Sequence, residues 1–150
     1  MPGRVSVKIG DTKFEAIEIV FLMGTQKDAA GMPTLQTLHT KVGVWADLFD
    51  DENIPFNTIK EMFTLANVPD RDKVKEMTIE FWNDDRKNNA ICAFMFKGWI
   101  SKLEIYNPVL ELNGQPAVKD AAGRVYNHVL HLELSPIINK HNHQEISISN

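Results

Sequence analysis

Hydrophobic and polar residues alternate along several stretches of the chain, which is the pattern of β-strands that bury one face. The clearest case is residues 73–106, where two runs rich in β-branched and aromatic residues flank the polar hexapeptide DDRKNN at 84–89. Asp and Asn favour turns because their side chains hydrogen-bond their own backbone. The stretch therefore predicts a β-hairpin, which we expect at the middle of a curved sheet.

The second arm of this hairpin changes the face that carries its hydrophobic residues. Phe96 and Ile100 share one face, but Lys102 falls in the same phase and Leu103 takes the apolar position. One extra residue in a strand shifts the alternation in this way and bends the sheet. We therefore expect a bulge or a sharp bend within residues 98–102.

Further strands are predicted on both sides of the hairpin. Residues 5–9, 38–48 and 126–134 alternate between apolar and polar side chains. Residues 14–23 are hydrophobic on both faces, which predicts a strand buried against the core and against a second surface such as another subunit. The polar segment 136–150 is predicted to be either a flexible tail or an edge strand.

One helix is predicted at residues 57–67. Thr58 followed three residues later by Glu61 has the pattern of a capping box. A helix of this length is not stable alone in water, so we expect its apolar stripe to pack on the sheet as part of the core. The residues of the stripe have helical spacing and are Ile59, Met62, Phe63 and Ala66.

Size and composition predict one mostly β domain over residues 1–150. The 150 residues are 43% hydrophobic, which is enough for one core. The formal charge of −4 gives no basic face for nucleic acid, so neither DNA nor RNA is an expected partner. The single cysteine, Cys92, lies in an apolar strand and is interpreted as a small buried hydrophobe.

Targeting signals are also missing from the sequence. The first ten residues, MPGRVSVKIG, lack the apolar run of about 7 to 15 residues that a secretory signal needs. No stretch approaches the roughly 20 apolar residues of a membrane helix. We expect the chain to be made and folded in the cytoplasm and not to insert into a membrane.

Candidate chemistry is sparse. His141, His143 and Glu145 form an H-x-H-x-E pattern, but it lies in the polar tail without the glycine-framed context of known metal sites, so no metal is predicted. The acidic runs at 50–52 and 84–85 are interpreted as solvated turns. There is no G-x-S-x-G, phosphate-binding glycine loop or C-x-x-C. We predict no catalytic residues and no cofactor.

Three tryptophans, Trp45, Trp82 and Trp99, fall on the strand faces opposite the better apolar rows. An interface favours such residues as large anchors with little conformational entropy to lose. The alternative is that the helix and the long loops cover them within one chain. The connection at 24–36 is longer than a tight hairpin needs, and it is either a partner contact or a mobile surface loop.

The order of these elements resembles that of the haemolysin-coregulated proteins (Hcp, also called TssD), the tube proteins of type VI secretion systems, which are related to phage tail tube proteins. The residues that carry the resemblance are the loop 27–34 (KDAAGMPT), the lone helix, the central strand pair at 75–82 and 90–106, and the closing strand at 126–134. One branch of the family has a D-x-x-G-x-P loop with a basic residue before the proline. Asp28, Gly31 and Pro33 match that loop, whereas Met32 does not.

The resemblance implies two sheets curled into a compact β-barrel with one short flanking α-helix. It also implies a homohexameric ring, and rings stacked into a hollow tube that is expelled from the cell without a signal peptide. Sheath, spike and baseplate proteins would be partners, with effector proteins in the lumen. For Asp28, Gly31, Pro33 and the three tryptophans it implies subunit or ring-stacking contacts.

Other classes of function stay open at this point. A phage or phage-like tail tube protein would share the same sequence pattern. A small ligand-binding or metal-binding β-barrel would be a monomer or dimer with an internal cavity. A hydrolase with a site built from loops would depend on Asp84 or Asp85. Neither the binding barrel nor the hydrolase has a supporting sequence feature comparable to the order of loop, helix and hairpin.

Overall fold

The structure is a computed structural model that describes residues 5–25, 27–32, 39–48, 50–67, 71–83, 90–107, 128–137 and 146–149. Its elements in chain order are β1 (Val5–Ile9), β2 (Thr12–Ala16), β3 (Glu18–Gly24), β4 (His39–Asp47), α1 (Phe56–Asn67), a 3₁₀ turn (Arg71–Lys73), β5 (Lys75–Trp82), β6 (Ala90–Tyr106), β7 (Val129–Pro136) and β8 (Ser147–Ser149).

The strands form one antiparallel sheet in the order β2-β1-β5-β6-β7-β4-β3, with β8 paired to β6 beside this path. Within the described residues this confirms a mostly β fold with one α-helix. The prediction of two sheets closed into a barrel is not confirmed, because the end strands β2 and β3 do not pair with each other there. The short edge strand predicted in the tail is present as β8.

The predicted strand at 14–23 is broken into β2 and β3 at Ile17. Phe14 and Ala16 are buried in the core, whereas beyond the break Ile19 and Phe21 pack against it. The backbone N–H of Ile17 donates a hydrogen bond to the carbonyl oxygen of Trp45 at 2.8 Å, which fixes the bend. Because the bend shifts the alternation by one residue, a strand that reads as hydrophobic on both faces is in fact two strands with one core face each.

The bulge predicted in β6 is confirmed. The pairing of β6 with β7 skips Ser101, so the register shifts between Ile100 and Lys102. The Ser101 hydroxyl donates a hydrogen bond to the backbone oxygen of Glu133 at 3.0 Å and accepts one from the Ser135 hydroxyl at 2.9 Å. The extra residue lets β6 pair with β5 along its first half and with β7 along its second.

Helix α1 packs on the sheet largely through the predicted stripe, since Ile59, Met62 and Ala66 lie in or against the core, but Leu65 replaces Phe63. Met62 and Leu65 are buried, but Phe63 is 55% exposed. The predicted capping box is also wrong, because the helix begins at Phe56 and Thr58 therefore lies inside its first turn. Glu61 instead accepts a hydrogen bond from the Thr12 hydroxyl, which ties the helix to β2. This hydrogen bond and the packing of Leu65 in the core set the rotation of the helix about its own axis.

The outer edge of β2 is sealed by the side chain of Asn53. The Glu15 backbone N–H donates to Asn53 Oδ1 at 2.8 Å, and Asn53 Nδ2 donates to the Glu15 backbone oxygen at 2.8 Å. The amide thus occupies the place of a neighbouring strand. At the other end of the sheet, β3 pairs only with β4 among the described residues. Among the described residues, a side chain therefore protects the β2 end of the sheet and none protects the β3 end.

Candidate functional site

The outward side of strands β3, β4, β7 and the second half of β6 forms one continuous surface, which we call the outer face. Its residues alternate along the strands with buried residues such as Val42, Val44 and Leu132. Strand register places them in adjacent rows across the sheet. The outer face consists of Glu18, Val20, Leu22, Lys41, Gly43, Trp45, Trp99, Lys102, Glu104, His131, Glu133 and Ser135.

The apolar part of the outer face lies on β3. Val20 is 45% exposed and Leu22 is 48% exposed. Residues 14–23 were predicted to be buried against a second surface, and within the chain no such burial occurs at these positions. A row of exposed apolar side chains on an end strand is a feature of surfaces that associate with another chain.

An aromatic stack lies beside this row. The rings of Trp45 and His131 are 4.4 Å apart between centroids and nearly parallel, at 12°. The indole lies over Gly43, where an added Cβ would be 2.8 Å from Cη2 of Trp45. The glycine therefore allows the ring to lie flat on the sheet, so Trp45 is half-buried and does not project from the surface.

Replacing Gly43 by alanine is expected to displace the Trp45 indole from His131, because the new methyl group would overlap the ring. The obstacle is the end of a side chain, so we expect a modest loss of stability of about 1 kcal/mol. Tryptophan fluorescence and near-ultraviolet circular dichroism should change. A Trp45→Phe variant identifies the contribution of this indole, and unchanged spectra in Gly43→Ala would contradict the stacked arrangement.

Four charged residues of the outer face occur as two opposite pairs, and Glu18 on β3 is the fifth. Lys41 Nζ lies 3.6 Å from Glu133 Oε1 across β4 and β7, and Lys102 Nζ lies 3.5 Å from Glu104 Oε2 on β6. Exposed pairs of this kind contribute little to stability. They do leave this part of the surface with balanced charge, so it does not repel an identical surface.

The other two tryptophans lie apart from Trp45. Trp99 is opposite Ser135 in the β6–β7 ladder and is half-buried on the outer face. Trp82 ends β5 after a register shift from Phe81 and is also half-buried. Its indole nitrogen is buried and has no hydrogen-bond partner among the described residues. All three tryptophans are therefore partly covered within one chain, and their role as interface anchors stays a prediction.

The loop after β3 is held by Asp28. Its carboxylate Oδ1 accepts hydrogen bonds from the backbone N–H groups of Ala30 and Met32, both at 2.9 Å. Its own N–H donates to the Met32 oxygen at 2.8 Å, and Gly31 has the positive φ of 84° that favours glycine. The structure thus brings Asp28 and Gly31 together. Pro33 lies outside the described residues.

Several features of the site had only a weak signal in the sequence. The stacking of His131 on Trp45 depends on strand register, which the sequence pattern did not specify. Gly43 inside a predicted strand was the available signal, since an isolated glycine there often marks a close approach. The seal formed by Asn53 had no such signal.

Neither a metal site nor a membrane-spanning helix occurs in the described residues. They contain no group of three or more His, Cys, Asp or Glu side chains placed to hold a metal ion. None of their helices has the length and hydrophobicity to span a membrane. The H-x-H-x-E pattern of the tail and the acidic pair at 84–85 lie outside the described residues.

No protein-family model matches the sequence, and no curated protein matches it significantly. Solved structures do match the fold. The structure of Hcp1 from Flavobacterium johnsoniae has a TM-score of 0.59 at 14% identity, over 97% of this chain and 94% of that one. A crystal structure of an Hcp protein has a TM-score of 0.61 at 9% identity, over 97% of this chain and 98% of that one.

A third match is the structure of a type six secretion system protein, with a TM-score of 0.55 at 9% identity. It covers 97% of this chain and 91% of the matched chain. Identities this low establish similarity of fold only. The similarity extends over nearly the whole chain in each case, so the chain has the Hcp fold that its sequence pattern resembles.

Proposed function

We propose that this chain is a structural tube subunit of a type VI secretion system or a related contractile injection system. Its copies form hexameric rings, and the rings stack into a hollow tube that is expelled from the cell with effector proteins inside. The Hcp fold supports this proposal, because the structural neighbours include Hcp proteins and a type six secretion system protein. The role is mechanical, without catalytic turnover.

The observation that carries the proposal is the exposed apolar row Val20 and Leu22 beside the unsealed edge of β3. Covering the exposed half of such a side chain contributes about 1 kcal/mol. A ring repeats this gain at every contact between neighbours. A closed ring of identical subunits needs a heterologous contact, in which one surface of each subunit meets a different surface of the next.

Other contacts follow from the same proposal. The outward tryptophans Trp45, Trp82 and Trp99 contribute to contacts between subunits, and the loop with Asp28, Gly31 and Pro33 contributes to stacking of rings. The whole chain, residues 1–150, acts as one domain. It is made in the cytoplasm and leaves the cell with the tube, and its further partners are sheath, spike and baseplate proteins.

The solution mass of the purified protein tests this proposal. Light scattering on a gel-filtration column is expected to give a mass of about six subunits, with rings in negative-stain images of the same peak. A monomer at every concentration, without rings in any image, would contradict the proposal and favour a ligand-binding β domain. A phage-type tail tube protein would also form rings, and only the neighbouring genes separate it from a secretion tube.

A further inference from the structure

We propose that a second copy of this chain docks on the first by inserting Met32 into a pocket on β5 and β6. This inference rests on the proposed tube function, and it specifies one contact through which copies would associate. It depends on three observations, which are the rigid presentation of Met32, the chemistry of the pocket, and the charges beside each of them.

Met32 is presented as a fixed apolar projection. Its side chain is 62% exposed, although methionine is usually buried. Its backbone N–H donates to the carboxylate of Asp28, and its carbonyl oxygen accepts from the N–H of Asp28. A side chain held in this way loses little backbone entropy when it binds, which favours association.

The pocket is large enough to admit a methionine side chain, and its walls are partly apolar. Its volume is about 310 Å³, and its wall combines apolar side chains with a charged rim. Ile137, just beyond β7, forms part of its wall and donates a backbone hydrogen bond to the Lys97 oxygen at 2.9 Å. Its lining residues are Glu76, Met77, Thr78, Met95, Phe96, Lys97 and Ile137.

A flexible thioether suits such a pocket, because methionine adapts its three rotatable bonds to irregular apolar walls. The exposure of Met95 supports the same conclusion, since this side chain at the pocket is 37% exposed and gains from being covered. Met32 does not fill the pocket of its own chain, because it is itself exposed. We therefore assign Met32 of another copy of the chain to this pocket.

The charges around the projection and the pocket are complementary. Lys27 and Asp28 lie at the base of the projection and are exposed, and the rim of the pocket carries Glu76 and Lys97. Glu76 and Lys97 are directly opposite each other across β5 and β6. A copy that inserts Met32 can therefore pair Lys27 with Glu76 and Asp28 with Lys97, which fixes one orientation of docking.

Cross-linking between chains tests this contact. Met32→Cys and Thr78→Cys are prepared separately, each with Cys92→Ser so that the introduced thiol is the sole cysteine. The two proteins are mixed and treated with a short bismaleimide, so any 32–78 cross-link must join two chains. We expect the yield of this cross-link, measured by peptide mass spectrometry, to be about tenfold higher than the yield obtained when Asn67→Cys replaces Thr78→Cys.

A cross-link no stronger than that of the Asn67 control overturns the proposal. If the wild-type protein still forms rings in negative stain, the proposed function survives and only the Met32 contact is wrong. If the wild-type protein forms neither rings nor the cross-link, both fail. A strong 32–78 cross-link without rings supports the contact and contradicts the hexamer.

Charge reversal gives an independent measurement. Glu76→Lys is expected to weaken association by about tenfold in sedimentation velocity, because Lys27 of the docking copy then meets a like charge. The double variant Lys27→Glu and Glu76→Lys is expected to restore association. Equal association of the single variant and the wild type, or a double variant no better than the single one, overturns the assigned pairing.

Discussion

Replacing Leu22 by glutamate is expected to abolish ring assembly and leave a folded monomer. The side chain is already 48% exposed within one chain, so a charge there costs little in the monomer. In the proposed ring the same position is covered, and an unpaired buried carboxylate costs several kcal/mol. Light scattering should therefore give the mass of one subunit, with a circular dichroism spectrum like that of the wild type.

Phe63→Glu is the matched control for this change. Phe63 is also large, apolar and about half exposed, but it lies on α1 and not on the outer face. We expect this variant to form rings at the wild-type protein concentration. Dissociation by Phe63→Glu with intact rings in Leu22→Glu would place the contact between subunits on the helix and contradict its assignment to β3.

Replacing Gly98 by alanine is expected to produce the largest loss of stability among the glycines of the sheet. An added Cβ would lie 2.5 Å from the backbone oxygen of Ser135, and backbone cannot rotate aside as a side chain can. Relief requires β6 and β7 to separate beside the bulge. We expect the free energy of unfolding to fall by about 3 kcal/mol, measured by urea denaturation.

Gly43→Ala is the comparison for this prediction. Both glycines lie in strands of the same sheet, and both variants add one methyl group. At Gly43 the obstacle is the movable ring of Trp45, whereas at Gly98 it is the chain of β7. A loss at Gly98 no larger than the loss at Gly43 would show that the two strands can separate at little cost.

The parts of the fold that the sequence predicted are those that depend on local alternation. The pattern placed the ends of β5 and β6 at the residues where the structure has them. It also located the bulge, because Lys102 and Leu103 exchange apolar and polar positions after Ile100. An interrupted period of two is visible in the sequence wherever one face is buried.

The features that the sequence did not predict depend on contacts between distant residues. The break at Ile17 is fixed by a hydrogen bond to Trp45, and its one mark in residues 14–23 is Glu18, which interrupts an apolar face of the predicted strand. The helix buries Leu65 in place of Phe63, because the docking of Glu61 on Thr12 contributes to its rotation. A stripe with helical spacing defines a broad face, and tertiary packing selects the part of it that is buried.

The candidate site also combines features set by local sequence with features set by contacts between distant residues. The loop residues Asp28 and Gly31 were named from the resemblance, and the structure shows the Gly31 N–H hydrogen-bonded to the backbone oxygen of Asp28, while their contacts with other copies stay a prediction. The three tryptophans were placed on outward faces by alternation, but the covering of the Trp45 ring by stacking on His131 required the register between β4 and β7. Register is set by the whole sheet.

The seal that Asn53 forms on β2 bears on how this protein behaves at high concentration. A sheet with two open ends can recruit strands at both, and repeated recruitment builds cross-β fibres. Here the paired hydrogen bonds between Asn53 and Glu15 occupy backbone groups of β2 that an added strand would otherwise bind. This end of the sheet is therefore less open to the strand addition that builds fibres, whatever surface of β3 associates with another copy.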